Sequence, residues 1–404
     1  MLKVLQTIQA GRGIAAVGVV LFHLSVSMGD ARYGGNPVFG DWTWRGNLGV
    51  DFFFVLSGFI MMHIHADDVG VPARWQSYAH SRFTRLFPVY WLYTAAFCAL
   101  VALGFGTVTK LPESTADWLS AIFLVRLTDL TAPLAVAWTL FHEVAFYALF
   151  SVLILNKRVG IGLFVIWTAV IALVFQYPPT DNPTPIQTYF AAYNLDFLIG
   201  MAACYMLRNT STAICTAAFW GGTVLLAGTL ALEFSGTRPI WTALPYGIAF
   251  GGIIAGMSKW ETLRGGVRLP ILKELGDASY TLYLIHVPVI GVLLKVAVKL
   301  GLVSNLPGPI VYLAVLAGVL ITGYAAHRMV ERPLQRVMKD RRNALLHFPF
   351  VVTPRKISLR RSAATDAPAN VRRKSTPATV LGQTPRLSPA PPASLTPTSD
   401  RWQS

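Results

Sequence analysis

The chain has 404 residues, of which 54% are hydrophobic and only 13% charged, with a formal net charge of +15 and a mean hydropathy of +0.51. Soluble domains carry about 25% charged residues, so this composition excludes a soluble globular protein and indicates a polytopic membrane protein. Cys98, Cys204 and Cys215 all fall in apolar segments, and an odd set so placed excludes a disulfide framework and a cysteine-rich metal site.

In chain order, apolar runs near 20 residues predict ten membrane helices, at 12–29, 47–65, 86–105, 134–155, 159–177, 188–208, 212–233, 240–258, 277–299 and 307–329. The first contains Arg12 and His23 and lacks a small-x-small cleavage site, so it reads as a retained span rather than a signal peptide. Basic residues accumulate on the cytoplasmic side of short loops. With the N-terminus inside, Arg74, Arg82, Arg85, Lys157, Arg158, Arg208, Lys259, Arg264, Arg268 and Lys273 are cytoplasmic, whereas only Arg32, Arg45, Lys110, Arg126 and Arg238 lie opposite. The expected fold is therefore an all-α polytopic integral membrane protein, a bundle of about ten transmembrane helices over residues 1–338, N-in and C-in.

The ionisable residues inside these runs carry the functional information. Arg12 and His23 are eleven residues apart, close to three turns and about 16 Å of rise, so both project from one face of the first helix. Ionisable groups in hydrocarbon are costly and point to a functional site, although a snorkelling arginine and a histidine bonded to a neighbouring helix give the same pattern. In the second helix, Asp51 lies about 6 Å from the outer edge, shallower than His23 by a gap that a boundary shift of about three residues would close, and His63 and His65 at the other end read as interfacial residues. The stretch from Tyr78 to Trp91 places Arg82 and Arg85 at i and i+3, a shared helix face that can anchor the third span at the membrane surface or clamp phosphate oxygens. His142-Glu143 is followed by Phe146 where the HExxH zinc pattern needs a second histidine, which argues against a metal site.

Counting by helix rise, Glu143 and Asp196 lie about 12 Å from the outer edge, and His286 and His23 roughly 14 Å and 16 Å from the inner one. In a hydrocarbon core about 30 Å thick these four groups share a depth, which suggests a common polar cavity. A neutral imidazole beside a carboxylate suits a general base acting on a hydroxyl, and equally the relay of a proton-coupled transporter. From Lys339 onward the composition changes to twelve basic and three acidic residues among Pro, Ser, Thr and Ala. Residues 339–404 are expected to form a disordered cytoplasmic tail. Attraction to anionic lipid, about 1 kcal/mol per basic residue near the surface, explains its charge more simply than nucleic acid does, so membrane lipids are the expected partner and nucleic acid is not.

Six ordered blocks between about residues 5 and 336 resemble the membrane acyltransferase 3 family: Arg12-x10-His23, Gly49-Val-Asp51-Phe-Phe-Phe-Val-Leu-Ser57-Gly58-Phe, Arg82-x-x-Arg85 with Pro88-x-Tyr-Trp, Trp138-Thr-Leu-x-x-Glu143, Leu275-Gly-Asp-Ala-Ser-Tyr-x-x-Tyr-Leu-x-His286, and Glu331-Arg-Pro333. The layout is most similar to the exopolysaccharide O-acetyltransferase branch. The resemblance implies a ten-helix enzyme of the bacterial inner membrane with no bound cofactor. It would move an acyl group, often acetyl from acetyl-CoA, onto a hydroxyl of an envelope polysaccharide or its lipid-linked saccharide precursor. It also implies His23 as the catalytic base, Glu143 as the partner that orients or charges it, and Asp51 as a further catalytic candidate. Arg12, Arg82 and Arg85 match donor-side positions that would meet coenzyme A phosphates. His286 is placed with the donor-binding set, although Asp51 and His286 can instead lock helices together, and Ser57-Gly58 reads as close helix packing. The alternative is a transporter or flippase for a saccharide or lipid-linked saccharide, against which the lack of a motif repeated between the two halves counts.

Overall fold

Hydrocarbon offers the peptide groups no water, so a long apolar run must satisfy its own N–H and C=O groups, which a helix does within one segment. The computed structural model of the chain obeys this constraint. It describes residues 5–103, 111–129, 132–174, 184–236, 243–265 and 269–346, and every regular element among them is helical. The long helices are α1 (Gln6–Met28), α2 (Gly49–His65), α3 (Trp75–Ala102), α4 (Trp138–Leu155), α5 (Lys157–Val174), α6 (Asn194–Asn209), α7 (Thr212–Phe234), α8 (Ala243–Arg264), α9 (Ser279–Lys299), α10 (Gly308–Ala326) and α11 (Arg332–Leu346). Eight of them, α1 to α4, α6, α7, α9 and α10 with their flanking turns, are long and apolar enough to cross a bilayer. Helices α5 and α8, of 18 and 22 residues, occupy the two other segments that the hydropathy pattern marks. The protein is a multi-pass, all-helical membrane protein.

Two boundaries differ from the sequence reading in ways that matter for the site. Helix α3 starts at Trp75, after a turn led by Pro72, so Arg82 and Arg85 lie inside a 28-residue helix rather than ahead of it. Pro88 falls within that helix, which a membrane bundle tolerates because neighbouring groups take up the freed backbone atoms. At the other end, the composition break at Lys339 does not end the ordered chain: a π-helical turn, His327–Glu331, leads into α11, which runs to Leu346. The rest of the expected tail, residues 347–404, lies outside the described residues.

Helix α1 packs against α2, α8, α9, α10 and the short helix Pro270–Asp277, and α3 packs against α4, α9 and α11. Apolar clusters fill the spaces around this centre. One joins Val20 and Leu24 of α1 to Ile290 of α9 and Tyr312 and Val319 of α10. A second joins Phe54 of α2, Phe146 and Phe150 of α4, and Phe197 of α6. The α2–α6 contact needs small residues on both sides, as the Ser57-Gly58 pair suggests. A Cβ on Gly58 would stand 1.9 Å from the Phe197 carbonyl oxygen, and one on Gly200 would stand 1.9 Å from that of Val55. Gly58→Ala is therefore expected to force these helices apart at a cost of about 1–3 kcal/mol. The midpoint of thermal unfolding in detergent should fall, whereas Gly221→Ala on α7, where a Cβ would meet nothing within 4 Å, should not lower it.

Candidate active site

Helix periodicity puts Arg12 and His23 on the face of α1 turned toward α9, and α9 answers with Ser279 and His286. The rings of His23 and His286 meet edge to face, 4.8 Å between centroids. His23 Nδ1 lies 3.2 Å from His286 Nε2 and 3.0 Å from the Val19 carbonyl oxygen, and His286 Nδ1 lies 2.7 Å from the Tyr283 carbonyl oxygen. A carbonyl can only accept, so Nδ1 of each neutral ring carries its hydrogen. His286 then presents the Nε2 lone pair to the His23 Nδ1–H, and the His23 Nε2 keeps an unshared lone pair. His286 is fully buried, two residues before Pro288, which lacks the N–H that would continue the helix ladder. His23 is only half-buried, its ring in edge contact with Phe22, which in turn meets the exposed Trp44.

On the side of the chain's N-terminus a cavity of about 290 Å³ opens between α1, α2, α3, α4 and α9, and Arg12, Arg82, Arg85, Glu143 and Tyr283 are among its lining residues. Arg12 donates from Nε and Nη2 to Ser279 Oγ, at 3.1 and 2.8 Å. Arg82 donates from Nη2 to Ser81 Oγ at 3.1 Å, and its guanidinium lies 5.8 Å from the centre of the Tyr147 ring. Arg85 makes no hydrogen bond or ion pair among the described residues. Glu143 accepts from the Tyr147 hydroxyl and, at 3.4 Å, from Ser57 Oγ. Three guanidiniums thus face a space lined by a single carboxylate, an arrangement suited to an anionic ligand. Tyr283 closes the deep end, its hydroxyl donating to the Val136 carbonyl at 3.0 Å and meeting Thr139 Oγ1 at 2.9 Å. Its ring centroid lies 5.8 Å from that of His286, so the cavity ends one ring away from the histidine pair.

The structure divides the sequence-selected residues into three groups. His23 and His286 form one pair, which places His286 outside the cavity lining and against the His23 ring. Arg12, Arg82, Arg85 and Glu143 form the second. Glu143 is therefore with the arginines, and its carboxylate makes no contact with His23 among the described residues; equal depth along the bilayer normal does not fix lateral position. Asp51 belongs elsewhere, buried in the first turn of α2 and within electrostatic reach of Asp196. Neither of those carboxylates lines the cavity. Among the described residues no group of three or more His, Cys, Asp or Glu side chains is placed to hold a metal ion.

Residues beyond that selection complete the site. Thr281 Oγ1 donates to Glu331 Oε2 at 2.6 Å, His327 Nδ1 meets the same oxygen at 2.7 Å, and Gln335 Nε2 donates to Glu331 Oε1 at 2.8 Å. This buried network pins the first turn of α9, where Ser279 holds Arg12. Ser279, Tyr283 and Glu331 all lie within the sequence blocks quoted above, but spacing alone gives no sign of which partner each one meets.

Residues 5–328 match the sequence profile of an acyltransferase domain. The chain belongs to this acyltransferase family. Its relatives include the exopolysaccharide production protein ExoZ of Rhizobium meliloti, 32% identical over 318 residues that cover 74% of this chain and 92% of ExoZ. The acyltransferase MdmB of Streptomyces mycarofaciens is 25% identical over 341 residues, 74% of this chain and 84% of MdmB. No solved structure matches the chain. Family membership makes the protein an acyltransferase and decides against the transporter alternative that the ionisable residues alone leave open. Within the site, removing the acceptor of Arg12 should be costly because a charged donor is left unpaired: Ser279→Ala is expected to lower stability to denaturant by about 1–3 kcal/mol. In an Arg12→Met background the same change should cost much less, a coupling that a double-mutant cycle reads directly.

Proposed function

We propose that the protein transfers an acyl group, in the first instance acetyl from acetyl-CoA, to a hydroxyl of an envelope or extracellular polysaccharide or of its lipid-linked saccharide precursor. The observation that carries this reading is the cavity of three arginines that ends one ring from the His23–His286 pair. In this reading ten helices cross the bacterial inner membrane, with both ends of the bundle's chain in the cytosol, so the arginine cavity faces the compartment that holds acyl-CoA. The name of ExoZ supports an exopolysaccharide acceptor.

The chemistry follows from the residue types. His23 Nε2 takes the proton of the acceptor hydroxyl while that oxygen attacks the thioester carbonyl; the new ester C–O bond forms, the C–S bond breaks, and the proton passes from His23 to the departing thiolate. The His286 Nε2 lone pair accepts from His23 Nδ1–H throughout, which holds the base in its reactive tautomer and stabilises the imidazolium when it forms. His286 hands its own Nδ1–H to the Tyr283 carbonyl, a group that cannot take a proton, so the pair orients the base without draining its proton away. Arg12, Arg82 and Arg85 neutralise donor phosphates, and Glu143 with Tyr147 limits the repulsion among them.

Reconstituted protein incubated with isotope-labelled acetyl-CoA and lipid-linked saccharide is expected to give saccharide heavier by one acetyl group in mass spectrometry. Unmodified saccharide across a panel of acceptors would refute the reading. His23→Ala should reduce turnover on the order of 10²- to 10⁴-fold while membrane insertion is unchanged. Replacing Arg82 and Arg85 together by Gln should raise the donor KM more than it lowers kcat, because ground-state and transition-state binding are lost together.

A further inference from the structure

A second cavity, of about 210 Å³, lies on the other side of the arginine pair. His80, Arg82, Thr84 and Arg85 of α3 line it on one side, and Gln335 and Lys339 of α11 on the other. Arg82 and Arg85 therefore line both cavities. Gln335 and Lys339 are four residues apart and share one face of α11. No carboxylate is among the described lining residues, and the acid one turn back, Glu331, is already engaged by Thr281, His327 and Gln335. Among the described residues, three cations and an imidazole thus surround a small space without a carboxylate. Arg82 Nε and His80 Nε2 are buried without a hydrogen-bond partner among the described residues.

Like charges gathered without a counter-ion repel, and the arrangement is favourable when a polyanion occupies it. The larger cavity has room for the acylated arm and, beside Arg12, for the phosphate nearest to it, and the smaller one continues the cationic lining past Arg82 and Arg85. We infer that the second cavity is the nucleotide-phosphate subsite of the acyl donor, with Lys339 and His80 joining Arg82 and Arg85 around the phosphates while the thioester arm enters the larger cavity toward His23. The inference rests on the acyl-CoA reading and extends it. It gives a donor-binding role to Lys339, a residue that composition alone assigns to the tail.

The test compares acetyl-CoA with S-acetylpantetheine, a thioester with the arm but neither nucleotide nor phosphate, in vesicles of neutral phosphatidylcholine. Lys339→Gln is expected to raise the KM for acetyl-CoA about tenfold, as the loss of one charged contact does, with kcat unchanged and the KM for S-acetylpantetheine unaltered; Lys339→Arg should restore the wild-type value. An equal rise for both donors, or no rise for either, overturns the subsite. So does a defect confined to vesicles containing phosphatidylglycerol, which would assign the cavity to a lipid headgroup. Calorimetric binding of phosphoadenosine diphosphate, the nucleotide half of coenzyme A, reads the same subsite without turnover. Wild-type protein that fails to bind it overturns the inference, whereas binding that Lys339→Gln weakens, together with no turnover of either thioester, sustains the subsite and overturns only the donor reading.

Discussion

A guanidinium carried into a bilayer must find hydrogen-bond acceptors, and the grip of Ser279 on Arg12 is the contact on which the rest of the arrangement depends. It requires α1 to lie unusually close to the chain that leads into α9. A Cβ on Gly276 would fall 1.9 Å from the Gln9 carbonyl oxygen, and one on Gly13 would fall 2.7 Å from that of Leu272. With the backbones pressed together there, the same two helices meet again at His23 and His286. The two contacts are separated by eleven residues on α1 and seven on α9, about 16 and 10 Å of rise, and the reach of the arginine side chain spans the difference. One helix pair therefore sets both the floor of the arginine-lined cavity and the position of His23.

Much of this was legible in the sequence, and what was not has a physical reason. Apolar runs report helices because burial in lipid leaves the backbone little choice, so all ten marked segments fold as helices over their described residues. Arg12 and His23 share a face because helical periodicity is rigid over eleven residues, and Arg82 and Arg85 share one for the same reason. Rise along a helix measures depth, but it says nothing of the direction in which a side chain points relative to other helices. Glu143 and His23 have similar depths, yet Glu143 turns to Tyr147 one turn along its own helix. His286, grouped with the donor-side residues by resemblance, stands against His23. Asp51 lies on another face of α2 from the cavity-lining Ser57. Composition likewise marks where charge changes rather than where a helix stops, so α11 passes through the break at Lys339.

The buried polar network around Glu331 shows how such a bundle retains an irregular turn. A π-helical turn widens the ladder and leaves an extra residue without a regular place in it, and such turns persist where side chains compensate. Here Glu331 closes the turn and accepts from three different groups, one of them Thr281 of α9. The turn that begins α11 is thereby tied to the turn that begins α9. The arginine-lined cavity, the helix that bears His286 and the helix that bears Lys339 form one mechanically connected unit.

Tyr283 has a consequence for the cell rather than for catalysis. A polar cavity that penetrates into the hydrocarbon shortens the barrier to protons and small ions. The Tyr283 ring, tied at its hydroxyl to Thr139 and Val136 and backed by Phe53, occupies the neck between the arginines and the histidines. It acts as an insulator: an aromatic septum between the cavity and the histidine pair, which ions that enter the cavity meet before they can go farther through the bundle.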